Sequence, residues 1–311
     1  HAMGQGATTG SLVVTLEALK EMHLTPEDIQ LIQNDTKTCP DTGMAGASRS
    51  LYMDGNATII AANKLLAAMR KEDGTLRTYD EMKAEGIETK YLGRYETNTT
   101  PGLCRLDPNT GIGDPTPAFT YCLNLAEVEV DTKTGKTTVL KFTCVDFVGR
   151  IGNIDAVNGQ AYGGISHSIG FALKEDYQDV KKHANMFGAG TSYIKDVPDD
   201  INLIHIDGAI SDGPFGSSGA SEAFQASGHC AVLNGIYNAC GVRIHEIPAL
   251  PEKVKAGLDA IAKGEKPYEP KKYFLGSDMY EELENIKENP VQVGTQSFYV
   301  SLDDPTAERP F

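Results

Sequence analysis

The sequence predicts a mixed α/β fold of the α+β class, with two packed α/β lobes and a C-terminal extension. Apolar residues recur at helical spacing in several separate stretches, while residues 121–147 alternate with the period of two that marks a half-buried hairpin. The element order is α, β, α, then hairpin, α, β, α, β, α, which suits two packed lobes better than one doubly wound sheet. Five prolines punctuate residues 264–311. The domain is therefore expected over residues 1–263 and the extension over residues 264–311.

Residues 8–22 place Leu12, Val13, Leu16 and Leu19 on one helical face, with Thr8 or Thr9 as N-cap. Residues 29–33 read as a strand after the Thr25-Pro26-Glu27-Asp28 turn. Residues 35–48 are rich in Gly, Thr, Asp and Ser and read as a loop. Residues 51–69 return to helical register through Met53, Ile59, Leu66 and Met69, and a short helix is expected near 79–84 in a polar stretch. Two alternating runs, 121–130 and 137–147, flank a turn at 131–136 and form the hairpin. Residues 161–173 read as a Gly-rich apolar helix. Glycine costs about 1 kcal/mol per helical position relative to alanine, so close approach of another backbone or a bulky ligand is expected there. A strand at 201–206, a Gly/Ser loop at 211–221, a helix at 222–239, a strand at 242–247 and a helix at 251–262 complete the domain. The extension carries one amphipathic helix near 278–288.

The formal charge is −15, and basic groups such as Lys181-Lys182 and Lys271-Lys272 are short and near acids. Such a chain repels polyphosphate, so nucleic acid and anionic membrane surfaces are poor partners. No apolar run reaches the ~18 residues of a membrane span. None of the six cysteines forms a Cys-x-x-Cys pair, which argues against a zinc ribbon or an iron–sulfur cluster within these residues. With no signal-peptide pattern, reduced cysteines and a cytoplasmic location are expected. The opening His1-Ala2-Met3-Gly4-Gln5-Gly6 runs straight into a helical pattern and reads as an interior piece of a longer polypeptide.

Four small-residue segments run into helices: 3–10, 43–50, 153–164 and 213–221. A helix N-terminus offers free backbone N–H groups and the positive end of a dipole, which suits anions such as phosphates. None of the four is a Walker A loop or a complete Gly-x-Gly-x-x-Gly, since Thr9 stands where the third glycine belongs after Gly4 and Gly6. Gly216-Ser217-Ser218-Gly219 is one residue short of a nucleophile elbow. No His-x-x-x-His spacing suggests zinc, and His167 and His229 read as core histidines. Singly, each loop is ordinary capping chemistry; four in one chain form a constellation. Glu222 follows the last loop and opens an apolar helix. It reads either as a first-turn dipole partner, worth about 0.3–1 kcal/mol, or as a general base beside a ligand. Gln5, between two glycines, can donate to and accept from a ligand.

Met3-Gly4-Gln5-Gly6, Ala45-Gly46-Ala47-Ser48-Arg49-Ser50, Gly149-Arg150 through Gln160 to Gly164, and Gly216 to Glu222 resemble, in order, the cofactor loops of the molybdenum hydroxylases, the xanthine oxidase family. The resemblance covers residues 1–262 and leans toward bacterial aldehyde oxidoreductases. It implies the second of two molybdenum-binding domains. It also implies a molybdenum–molybdopterin cofactor, in bacteria usually the cytosine dinucleotide, with no side chain ligating the metal. Gly4, Gln5, Gly6, Gly46, Ala47, Ser48, Gln160, Ser218 and Gly219 would hold that cofactor, and Glu222 would be the catalytic base. The reaction implied is hydroxylation of an aldehyde to a carboxylic acid with water as oxygen source. A purine or other N-heterocycle is the alternative substrate, and a non-catalytic anion-binding scaffold is the alternative class. Electrons would leave through [2Fe–2S] clusters carried, like the first molybdenum domain, on the same polypeptide or a partner subunit. A homodimer is also expected from the resemblance.

Overall fold

The structure, a computed structural model, describes residues 2–32, 35–96, 113, 116, 118–266 and 288. The chain divides into His1–Pro267 and Tyr268–Phe311. The helix expected near 278–288 lies outside the described residues, Glu288 apart.

The first unit is an α+β domain. Helices α1 (Ala7–Ala18) and α2 (Ser50–Met69) pack against each other, with Leu19, Ala62 and Leu66 in their shared core. Helix α1 is entered through Gly6, which is left-handed (φ 85°, ψ 13°), and not through a Thr8 or Thr9 cap. The glycine turn aims the chain where a capping threonine would have to stay extended. The run to residue 22 is tightened after Ala18 into a 3₁₀ turn, Lys20–Met22, closed by left-handed His23. No strand forms at residues 29–32. The segment follows a 3₁₀ turn, and Leu31 and Ile32 are exposed, 38% and 64%. A short apolar run without a neighbouring ladder has nothing to pair its backbone with. Helix α3 (Tyr79–Ala84) forms as expected, with a Thr78/Glu81 capping box.

Strands β1 (Tyr121–Val130) and β2 (Thr137–Phe147) make the expected antiparallel hairpin, and β3 (Asp200–His205) adds to β2 in parallel. This single sheet, ordered β1-β2-β3, is the only one among the described residues. Helix α4 (Ile154–Leu173) connects β2 toward β3 and begins seven residues earlier than the glycine pattern suggests, because Asn153 caps it through Oδ1 on the Ala156 N–H. Ala161, Ile165, Ile169 and Ala172 of α4 join Phe142 and Cys144 of the sheet in the main core. Burying Phe142 or Phe224 completely contributes roughly 1.5–3 kcal/mol each. On the same inner face, buried Asp146 meets His205 Nδ1 at 2.7 Å, and His205 Nε2 meets Asn158 Oδ1 at 2.8 Å. Burial pushes the Asp146 carboxyl up, and His205 acts against that.

The helix expected at 222–239 is broken into α5 (Ala223–Ala226) and α6 (Gly228–Cys240). Ser227 leaves helical geometry (φ −127°, ψ −3°). The break is fixed from outside: Ser168 Oγ donates to the Gln225 carbonyl at 2.9 Å, and Asn124 Nδ2 donates to Ser227 Oγ at 2.9 Å. At Gly164 the expected close approach is met by α5, since a Cβ there would stand 2.7 Å from Phe224 Cβ and 3.0 Å from the Phe224 backbone carbon, whereas Gly159 and Gly163 face open space. Residues 242–247 form no strand. Gly241 turns the chain left-handed, Arg243 stacks on Tyr237 at 3.8 Å, and buried Val242 lies against Gly257 of α7 (Pro251–Ala262). Val242 thus anchors α7 to the end of α6. No helix among the described residues is long and apolar enough to cross a membrane.

Candidate functional site

A cavity of about 230 Å³ opens where the N-terminal turns of α1, α2 and α4 meet the loop before α5. Each helix gives it one face at helical spacing: Ala7, Gly10, Ser11 and Val14 of α1; Leu51, Asp54 and Gly55 of α2; Asn153, Ala156, Val157 and Gln160 of α4. Neither α1 nor α2 has a side-chain cap, and the positive ends of both dipoles face the cavity. Arg150 adds a cation to the wall, and Asp54 and Glu222 add acids. Burial pushes the Asp54 carboxyl up, with Arg49 acting the other way.

The loop that carries Glu222 is sewn to the end of β2. The Arg150 N–H donates to the Gly216 carbonyl at 2.9 Å, the Ser218 N–H to the Val148 carbonyl at 3.2 Å, and Ser217 Oγ to the Arg150 carbonyl at 2.7 Å. On its other side the loop meets residues 46–49. Gly219 lies so close to the Ser48 carbonyl oxygen that a Cβ would overlap it. Ala47 and Ser48 both hold φ 53°, a left-handed geometry that costs non-glycine residues about 1–3 kcal/mol and clusters at functional sites. Ser48 Oγ accepts the Glu222 N–H at 2.9 Å and donates to Glu222 Oε2 at 2.9 Å.

Of the residues singled out in the sequence, Gln5, Gly6, Gly46, Ser48, Gln160, Ser218, Gly219 and Glu222 line this one cavity. Gly4 and Ala47 are not on its wall but sit beside residues that are. Gln160 lies in the second turn of α4, not in a loop, so the third motif presents a helical face. Glu222 is the N-cap of a four-residue turn, not the first residue of a long apolar helix, and this weakens its reading as a dipole partner. His167 is exposed and so is not a core histidine. His229 Nδ1 is buried with no hydrogen-bond partner among the described residues. The sequence reading missed Asp54 and the α1 face. Both could have been found from the small residues at i, i+3 and i+4 behind each loop.

The site fits a pterin with a phosphate arm. Gly4 (φ 106°) and Gly6 (φ 85°) are left-handed, and nothing lies within 4 Å of where a Cβ on either would stand. The cradle is therefore backbone, open, and lined by N–H donors and two amide side chains, Gln5 and Gln160. Among the described residues no three His, Cys, Asp or Glu side chains group to hold a metal ion.

Comparison with known proteins agrees with this geometry. Residues 1–198 match the model of the molybdopterin cofactor-binding domain. An aldehyde oxidoreductase from Megalodesulfovibrio gigas is 42% identical over 257 residues, covering 83% of this chain and 28% of that protein. A probable hypoxanthine oxidase from Escherichia coli is 29% identical over 277 residues, covering 84% and 29%. The crystal structure of the aldehyde oxidoreductase from Desulfovibrio desulfuricans superposes with a TM-score of 0.77 at 46% identity, over 81% of this chain and 27% of that one. The chain spans less than a third of the length of each of these relatives. With more than half of its residues matched and the four loops gathered at one cavity, the chain belongs to the molybdopterin cofactor-binding domains of the molybdenum hydroxylase (xanthine oxidase) family.

Proposed function

We propose that this chain is the cofactor-gripping and proton-accepting part of a molybdenum-dependent oxidoreductase that converts an aldehyde to a carboxylic acid with water as the oxygen source. One observation carries the reading: Glu222 shares a cavity with all four cofactor-type loops and is held there by Ser48. When bound, the molybdenum–molybdopterin group supplies the two-electron oxidation. This chain's residues supply the rest. The uncapped ends of α1 and α2 bind the phosphate arm, which we take to be that of the cytosine dinucleotide form. The Gly4-Gln5-Gly6 and Gly46-Ala47 backbones pass close to the pterin, and Gln5, Gln160, Ser218 and Gly219 hydrogen-bond or abut it. Glu222 takes a proton at its carboxylate as the water-derived oxygen attacks the substrate carbon.

Two further parts complete this reading. A first molybdenum-binding domain and [2Fe–2S] domains, on the same polypeptide or a partner subunit, would close the cavity and carry electrons away. The assembled enzyme would work in the cytoplasm, as a homodimer. The domain boundary at 263, with 264–311 as an extension, belongs to the same proposal.

The likeness to a probable hypoxanthine oxidase keeps a purine substrate as the second reading. The higher identity to aldehyde oxidoreductases favours the aldehyde. A scaffold that only bound an anion would have no use for an acid pinned through both its carboxylate and its backbone N–H. Steady-state turnover of the assembled enzyme with an artificial electron acceptor tests the choice. The kcat/KM for simple aldehydes is expected to exceed that for hypoxanthine by at least about tenfold, the discrimination a site gains from roughly 1.4 kcal/mol of differential binding. The opposite order would assign the purine.

A further inference from the structure

We propose that Ser48 is a positioning residue that fixes the Glu222 carboxylate; this rests on Glu222 being the proton acceptor. The hydroxyl spends its whole hydrogen-bonding capacity on one segment. Its proton goes to Glu222 Oε2 at 2.9 Å, its oxygen accepts the Glu222 N–H at 2.9 Å and the Ser221 N–H at 3.3 Å, and the Ser221 hydroxyl of the same segment stands 3.3 Å away. One donor and two acceptor sites are all a serine has. Backbone and carboxylate of the same residue are thus tied to a single oxygen, which fixes the side chain relative to its own main chain. Glu222 needs such a tie, because its side chain is exposed and belongs to a turn of only four helical residues.

The backbone at Ser48 argues that the side chain is kept for this purpose. Its φ of 53° follows an identical φ at Ala47, a conformation that glycine adopts without penalty. The conformation is locked from the other side by Gly219, whose missing Cβ leaves room for the Ser48 carbonyl. Glycine would be the less strained residue at 48, yet only a residue with a short hydroxyl can make these three bonds. The contact joins the second and fourth motifs across 174 positions of sequence, so the loop placed to border the cofactor also sets the geometry of the acid.

The test uses the assembled, molybdenum-loaded enzyme with Ser48→Ala, Ser48→Gly, Glu222→Gln and the double variant Ser48→Ala/Glu222→Gln. Both Ser48 variants are expected to lose kcat by roughly 10- to 100-fold, the scale of a misplaced catalytic group. KM should stay within about twofold, because a group acting only in the transition state lowers kcat alone. Molybdenum content should be unchanged. Ser48→Gly should melt no lower than the wild type, because glycine relieves the left-handed strain. In the double variant the Ser48 change should cost nothing beyond the loss already caused by Glu222→Gln, since a residue acting through another is silent once that other is gone. Normal kcat in both Ser48 variants while Glu222→Gln is inactive would overturn the positioning role and leave the base in place. Additive losses, or molybdenum depletion in Ser48→Ala, would also overturn it by showing that Ser48 serves the cofactor directly. An active Glu222→Gln would remove the base itself, and the positioning role with it.

Discussion

Glu222→Gln is expected to lower kcat by roughly 10²–10⁴ while the enzyme keeps its full molybdenum content. Glutamine fills the same space and its amide can still accept the Ser48 hydroxyl proton, so the loop geometry survives. The Glu222 N–H to Ser48 bond is a backbone bond and is untouched. The substitution removes only the capacity to take a proton. The competing reading, a dipole partner at a helix N-terminus, gives a stability change below about 1 kcal/mol and near-normal turnover. That reading is poorly supported here, because the helical segment after Glu222 has four residues before Ser227 breaks it. Retention of more than about a tenth of wild-type kcat, against the loss expected for a base, would assign the proton transfer to another group.

Gly46→Val is expected to give a folded protein depleted of molybdenum. Gly46 lines the cavity, and the nearest atoms a Cβ there would meet belong to the Met44 side chain, at 3.6–3.8 Å, ordinary contact distance. The backbone at 46 is not in the left-handed region, so valine is allowed and the melting temperature should hold. A valine on the wall of a bound pterin must displace it or be displaced. Overpacking of that kind costs about 1–3 kcal/mol where neighbours can yield, which weakens binding roughly 5- to 150-fold. Gly46→Ala should show a smaller loss in the same direction. Full molybdenum occupancy and normal activity in Gly46→Val would place this loop away from the cofactor.

The parts of the fold that were legible in the sequence are those whose signal is local. The hairpin announced itself through alternation and a turn-rich 131–136, α3 through its Thr78/Glu81 box, and α7 through Pro251 at its first position. The strands expected at 29–33, of which 29–32 are described, and at 242–247 are not formed at the described residues for a shared reason: a ladder needs a partner, and no pattern within five or six residues supplies one. The break at Ser227 comes from Ser168 and Asn124, tens of residues away in sequence. The site divides the same way. The four loops were readable as small-residue approaches to helices, and their likeness to a family gave them roles. The bond from Ser48 to Glu222 and the half-buried Asp54 belong to the tertiary arrangement alone. The left-handed Ala47 and Ser48 could not be anticipated either, since neither residue type favours that geometry.

The central claim is that this cavity grips a molybdenum-bearing pterin. Elemental analysis of the protein purified from its native source, together with the polypeptide or partners it belongs to, tests this most directly. About one molybdenum per copy of the chain, with a pterin released on denaturation, is the expected result, because a cofactor enzyme carries its reactive group in fixed proportion. A folded, fully assembled protein containing neither molybdenum nor pterin would contradict it.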